Sequence, residues 1–97
     1  MLRVTFTAPL GGGQHGQGFY TWVETDEETT DLLNDLPVPR VGFQAIKCQA
    51  TIGKTTWKTS VFPNKGNFLL LVAGRVRKAE NLEVDDPVTV HLDILAT

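Results

Sequence analysis

Phe68-Leu69-Leu70-Leu71-Val72-Ala73 is the longest apolar run in the chain. Six residues is the length of a strand and far short of a membrane span. Its lack of alternation predicts a central strand over 68–72, covered on both faces. Pro63-Asn64-Lys65-Gly66 before it is a turn, because proline and glycine supply the dihedrals that a reversal needs. Thr55 to Phe62, upstream of that turn, reads as the strand that returns to it. Trp57, Thr59 and Val61 face inward and Lys58 faces solvent. Downstream, Gly74 to Leu82 reads as a short helix with Val76, Ala79 and Leu82 inward. Asp85-Asp86-Pro87 turns the chain. Val88, Val90, Leu92 and Ile94 then alternate with Thr89, His91 and Asp93 as a last strand.

The first half repeats this order. Leu2, Val4, Phe6 and Ala8 alternate with polar residues as a half-buried strand that Pro9 stops. Gly11 to Gly18 reads as a flexible hairpin loop. It has no lysine and no helix directly after it, so it is not a phosphate cradle. Phe19 to Glu24 is a strand. Thr25-Asp26-Glu27-Glu28 fits a capping box, with Thr25 as N-cap of a helix over 26–36 whose stripe is Leu32, Leu33 and Leu36. Pro37 and Pro39 end it. Val41 to Ile52 reads as a long strand. Val41, Phe43 and Ala45 put its apolar face on odd positions, while Ile46, Cys48, Ala50 and Ile52 put it on even ones. That switch requires an inserted residue, and so predicts a bulge near Ala45-Ile46.

Strand, strand, helix, strand therefore occurs twice, over about 2–48 and 55–95. Ala8-Pro9 answers Phe62-Pro63, Phe19 to Val23 answers Phe68 to Val72, and Pro39-Arg40-Val41 answers Asp86-Pro87-Val88. Neither half can bury its apolar face alone. Two halves closing about a pseudo-twofold axis predict a single-domain, mainly β barrel of about six to seven strands, with two short flanking helices.

Lys58-Thr59-Ser60-Val61-Phe62-Pro63, Arg75-Val76-Arg77-Lys78-Ala79-Glu80 and Val84-Asp85-Asp86-Pro87-Val88 resemble a bacterial domain-of-unknown-function family. That family is found alone or ahead of an OmpD-associated (bacteriocin-protection) module. The resemblance covers most of the chain, best from Val41 to Leu95. It implies a double-split β-barrel related to the AbrB/MazE-type regulators and antitoxins, and no activity that could be carried over to residues. The family places Gly-Asp where this chain has Asp85-Asp86, in a turn that suits positive φ.

Composition narrows the function classes. Apolar residues are 41% and charged residues 21%, an ordinary globular balance. One cysteine allows no internal disulfide. Met1-Leu2-Arg3-Val4 lacks a basic-then-apolar leader pattern, and the expectation is a cytoplasmic monomer with no membrane segment. The net charge is −2, but it is segregated. Glu24, Asp26, Glu27, Glu28, Asp31 and Asp35 fill 24–35, while Arg40, Lys47, Lys54, Lys58, Lys65, Arg75, Arg77 and Lys78 fill 40–78. Lys47, Lys54, Lys58, Arg75, Arg77 and Lys78 are the candidate residues for an anionic partner. The competing expectation, preferred here, is that the basic hairpin pairs with Glu27, Glu28 and Asp31 within the fold.

No catalytic, metal or cofactor constellation is expected. Cys48 falls on an inward face, His15 and His91 are far apart, and His91 beside Asp93 has no nucleophile in context. Phe19, Tyr20, Trp22 and Trp57 read as core filling. The expected function is a non-catalytic binding or interaction module for a protein or small-molecule partner. The alternative is a nucleic-acid-binding protein by analogy of fold.

Overall fold

A computed structural model of the chain describes residues 2–40 and 42–95. Its backbone orders β1 (Leu2–Pro9), β2 (Gly11–His15), β3 (Gly18–Glu24), α1 (Glu27–Asn34), β4 (Ile46–Ile52), β5 (Thr55–Asn64), β6 (Asn67–Val72), α2 (Gly74–Ala79) and β7 (Pro87–Ile94). The strands form one sheet in the order β1-β7-β4-β5-β6-β3-β2, antiparallel throughout. The sheet curls into a half-barrel until β1 approaches β3 without forming a ladder. Leu33 of α1 and Val76 of α2 enter the core, where they meet Ile46, Cys48, Ala50, Phe68, Leu70 and the alternating row Val88, Val90, Leu92 and Ile94.

The glycine-rich segment is a strand, not a flexible loop. Gly11 to His15 pairs with Trp22 to Gly18, and the hairpin turns at Gly16-Gln17 with Gly16 at φ +59°. The glycines are required because aromatic rings lie over this backbone. A Cβ on Gly11 would come within 2.6 Å of the Trp22 indole, and one on Gly12 within 2.6 Å of Val84 and 2.9 Å of Phe19. Only Leu10 separates β1 from β2. It is fully buried, its N–H donates to the Asp86 carbonyl, and its carbonyl accepts from the Asp85 N–H. Asp85 sits at φ +77°. The aspartate therefore takes up the left-handed conformation that a glycine would adopt freely, and the β1–β2 corner holds it there.

The cap of α1 is shifted by one residue. Asp26 is the N-cap, accepting from the Thr29 N–H at 2.8 Å. Thr25 is instead buried, bonded to the Phe68 N–H at 3.0 Å and to the Thr30 hydroxyl at 2.7 Å. Its hydroxyl ties the helix entrance to β6 and is not free for a capping box. α1 is shorter than expected, with Leu33 fully buried, Leu36 half-buried and Leu32 exposed. α2 also stops early. Asn81 at φ +54° ends it, with the Asn81 N–H on the Lys78 carbonyl and the Leu82 N–H on the Arg77 carbonyl, a Schellman closure. Ala79 is exposed as a result.

At the parity switch near Ala45-Ile46 the structure has a strand start and not the expected bulge. Gly42–Gln44 is a 3-10 turn, with Phe43 and Gln44 at φ of 59° and 60°. Phe43 is 92% exposed, not inward. Val41 lies outside the described residues. From Ile46 the even positions are buried as expected. β6 departs further from expectation, because one of its faces is open. Phe68, Leu70 and Val72 are buried, but Leu71 is 44% exposed and Leu69 half-buried. Among the described residues no helix crosses the outer face, so an unbroken apolar run here is a half-covered strand.

Candidate functional site

The six basic residues fall into two groups. Lys47 on β4 and Lys58 on β5 stand on the outer face and line a shallow groove of about 480 Å³ with Ser60 and Phe62. Lys54 lies at the β4–β5 turn. Arg75, Arg77 and Lys78 lie on α2. Glu80, just after the helix, joins that turn to α2: its carboxylate accepts from the Thr55 hydroxyl at 2.6 Å and the Lys54 N–H at 3.3 Å. The two groups do not make one continuous basic face, and Glu80 stands within the second. The expected pairing with the acidic helix is absent. α1 packs against β1 and β6, and Arg3–Asp93 is the only ion pair within 4 Å among the described residues.

The reactive types sit as follows. Cys48 is fully buried, and desolvation pushes its thiol up to about 12. His91 shares a 2.9 Å hydrogen bond with the Thr5 hydroxyl, while His15 meets the Tyr20 ring edge-on at 6.3 Å. No three His, Cys, Asp or Glu side chains among the described residues could together hold a metal ion.

The aromatics, read as core filling, form the most distinctive surface instead. Trp57 does face the core, but Phe19 and Tyr20 are each about half exposed. Tyr20 and Trp22 project from the outer face of β3, opposite Gly13 and Gly11 of β2. With His15, Leu69 and Leu71 they line a groove of about 710 Å³, closed at one end by Glu24, Asn64 and Lys65. Beside it β2 leaves an unpaired edge. The two-residue turn at Gly16-Gln17 makes His15–Gly18 a hydrogen-bonded pair, so the backbone groups of Gly12 and Gln14 point outward from the sheet. One signal for this surface was present in the sequence: glycines two apart, upstream of aromatics two apart, mark rings laid across a bare edge strand.

A second concavity, of about 460 Å³, lies where the sheet splits. The β5–β6 ladder runs only from Asn64↔Asn67 to Val61↔Leu70, whereas β4 stays paired with β5 down to Thr55. β5 thus diverges from β6, and a wedge opens between them. Trp57 and Thr59 form one wall, Phe19, Thr21 and Leu71 the other, and Gly74 and Arg77 of α2 the rim. The Arg77 guanidinium lies 5.7 Å from the Phe19 ring centre, and its Nε donates to the Leu82 carbonyl at 3.2 Å.

No curated protein matches the chain. A family model does match, over residues 6–92, and this span includes the glycine edge, the aromatic groove and the split. The chain belongs to the family described as a domain of unknown function, DUF1905.

Proposed function

We propose that this protein is a non-catalytic interaction module that binds an extended peptide segment of a protein partner by strand addition along β2. The observation that carries this reading is the juxtaposition of an unprotected sheet edge with an aromatic groove. Edge strands are ordinarily blunted by lysine, proline or a bulge. β2 has none of these, and the backbone groups of Gly12 and Gln14 face away from the sheet. A strand docked there would take main-chain hydrogen bonds from the edge. Alternate side chains would reach the Trp22 ring, which lies over Gly11 and Gly13, and the Tyr20 ring beside His15, as in other strand-addition modules.

The absence of catalysis is part of the proposal, supported for Cys48 by a buried thiol that stays protonated. So is a double-split barrel of two pseudo-twofold halves, of the AbrB/MazE type. Exchanging β1, β3 and β4 for β5, β6 and β7 maps the pair β1–β7 onto β5–β4, and maps β4–β7 and β3–β6 onto themselves. A cytoplasmic monomer is the matching expectation.

A displayed random-peptide library, selected on the intact protein, tests the strand-addition reading. Selected peptides should lose at least about tenfold in affinity on Gln14→Pro, which removes one edge donor and closes the edge sterically. They should weaken on Tyr20→Ser and be indifferent to Lys47→Gln. Peptides that bind Gln14→Pro as well as wild type would overturn it.

A further inference from the structure

We infer that the split between β5 and β6 is a separate binding site, built for a flat apolar anion of the aromatic carboxylate class. Three observations converge on it. Apart from Thr21 and Thr59 the walls are apolar, with the Trp57 indole on one side and Phe19 and Leu71 on the other. A slot of about 460 Å³ is within the range that small-molecule sites occupy.

The rim carries one cation and no carboxylate. Arg77 is held in place before any ligand arrives, by its stacking over Phe19 and by the Nε bond to the Leu82 carbonyl. Among the described residues neither of its terminal nitrogens has a partner. A guanidinium fixed through Nε still offers donors in the planar geometry that a carboxylate accepts.

The third observation is the unpaired backbone of the split. The two-residue turn at Gly53-Lys54 makes Ile52–Thr55 a hydrogen-bonded pair. The N–H and C=O groups of Lys58 and the N–H of Ser60 therefore point away from β4 toward β6, beyond the last ladder pair Val61↔Leu70, while the Ser60 carbonyl accepts from the Thr59 hydroxyl at 3.5 Å. Unpaired main-chain groups beside an apolar slot are satisfied only by water or by a polar group on a ligand. An aromatic ring between Trp57 and Phe19, with its carboxylate on Arg77, uses the slot and its rim together.

The site is independent of strand addition, and its test keeps the two apart. Isothermal titration calorimetry with 2-naphthoate and with neutral 2-naphthamide reads the charge preference directly. Wild-type protein should bind the carboxylate at least about tenfold tighter than the amide, the effect of one charge-assisted hydrogen bond. Arg77→Gln should abolish that preference and Arg77→Lys should keep part of it. A Cβ on Gly74 meets nothing within 4 Å, so Gly74→Leu has room on the rim and should block both compounds. Gln14→Pro, on the far strand, should change neither. Equal affinity for the two compounds, binding that survives Gly74→Leu, or no heat with either compound would overturn the proposal. If Arg77→Gln loses native near-ultraviolet dichroism, Arg77→Lys and Gly74→Leu decide the matter.

Discussion

Asp93 stands on the outer, solvent-side face of β7, yet it is almost fully buried because Arg3 from β1 lies over it. The guanidinium bonds both carboxylate oxygens, Nε at 2.9 Å and a terminal nitrogen at 3.0 Å. Those hydrogen bonds hold the Asp93 carboxyl below the usual aspartate range and raise Arg3. A carboxylate whose pKa falls on folding adds stability above its unfolded value. It loses that contribution as pH drops through the folded one. Arg3→Gln should therefore unfold at a higher pH than wild type in an acid titration. The gap in urea stability should be fullest above about pH 5 and should close as the pH falls through the lowered folded value of Asp93, below which the carboxyl is protonated in either state. A gap that persists unchanged into acid would assign the loss to packing alone.

At the scale of elements, the cap of α1 is the sharpest test of why the reading of the sequence slipped. Thr25 and Glu28 have the right spacing for a capping box, but spacing cannot show that β6 claims the Thr25 hydroxyl. Once Thr25 is taken, Asp26 becomes the cap. Asp26→Ala should cost about 1 kcal/mol by urea denaturation, while Glu28→Ala, at an exposed first-turn position, should cost well under half of that. The reverse order would restore the capping box. The same distinction separates the rest of the fold that was legible from what was not. Period-two alternation located β1, β5, β7 and the even face of β4, since each has one covered face. It failed at Leu69 and Leu71, because an apolar residue on an uncovered face looks like one on a covered face. It failed at Gly11–His15 because glycine has no side chain to alternate. Here the ordering comes from the neighbouring rings. The candidate site was hidden for both reasons at once, since it consists of exposed apolar residues beside a strand of glycines.

Over the whole molecule the basic residues are dispersed, and that dispersal makes a prediction about nucleic acid. A protein that grips duplex DNA needs a contiguous basic footprint. Here Lys47 and Lys58 stand on the sheet, Lys54 lies at the turn that Glu80 holds, Arg75 and Lys78 lie on α2, and Arg77 is held over Phe19. With a net charge of −2, the protein should show no salt-sensitive binding to a random duplex at about 150 mM salt. Lys54→Gln with Lys58→Gln should change unfolding stability by less than about 1 kcal/mol, because among the described residues neither lysine has an ion-pair partner to lose. Micromolar binding that the double variant abolishes would reinstate the nucleic-acid reading.

The ladder between β1 and β7 also bears on how the chain is made. Arg3 and Asp93 are 90 residues apart in sequence, and among the described residues β7 is the only ladder partner of β1. At a synthesis rate of about 5–20 residues per second, the first strand leaves the ribosome roughly 5 to 20 s before the strand it must pair with. Val4 and Phe6 are apolar and end up in the core. They spend that interval uncovered, in a nascent chain whose β2–β3, β4–β5 and β5–β6 hairpins can already close. Among the strands of this sheet, the one made first is thus among the last to be protected, and a chaperone that meets the emerging sheet would find its binding sequence in β1.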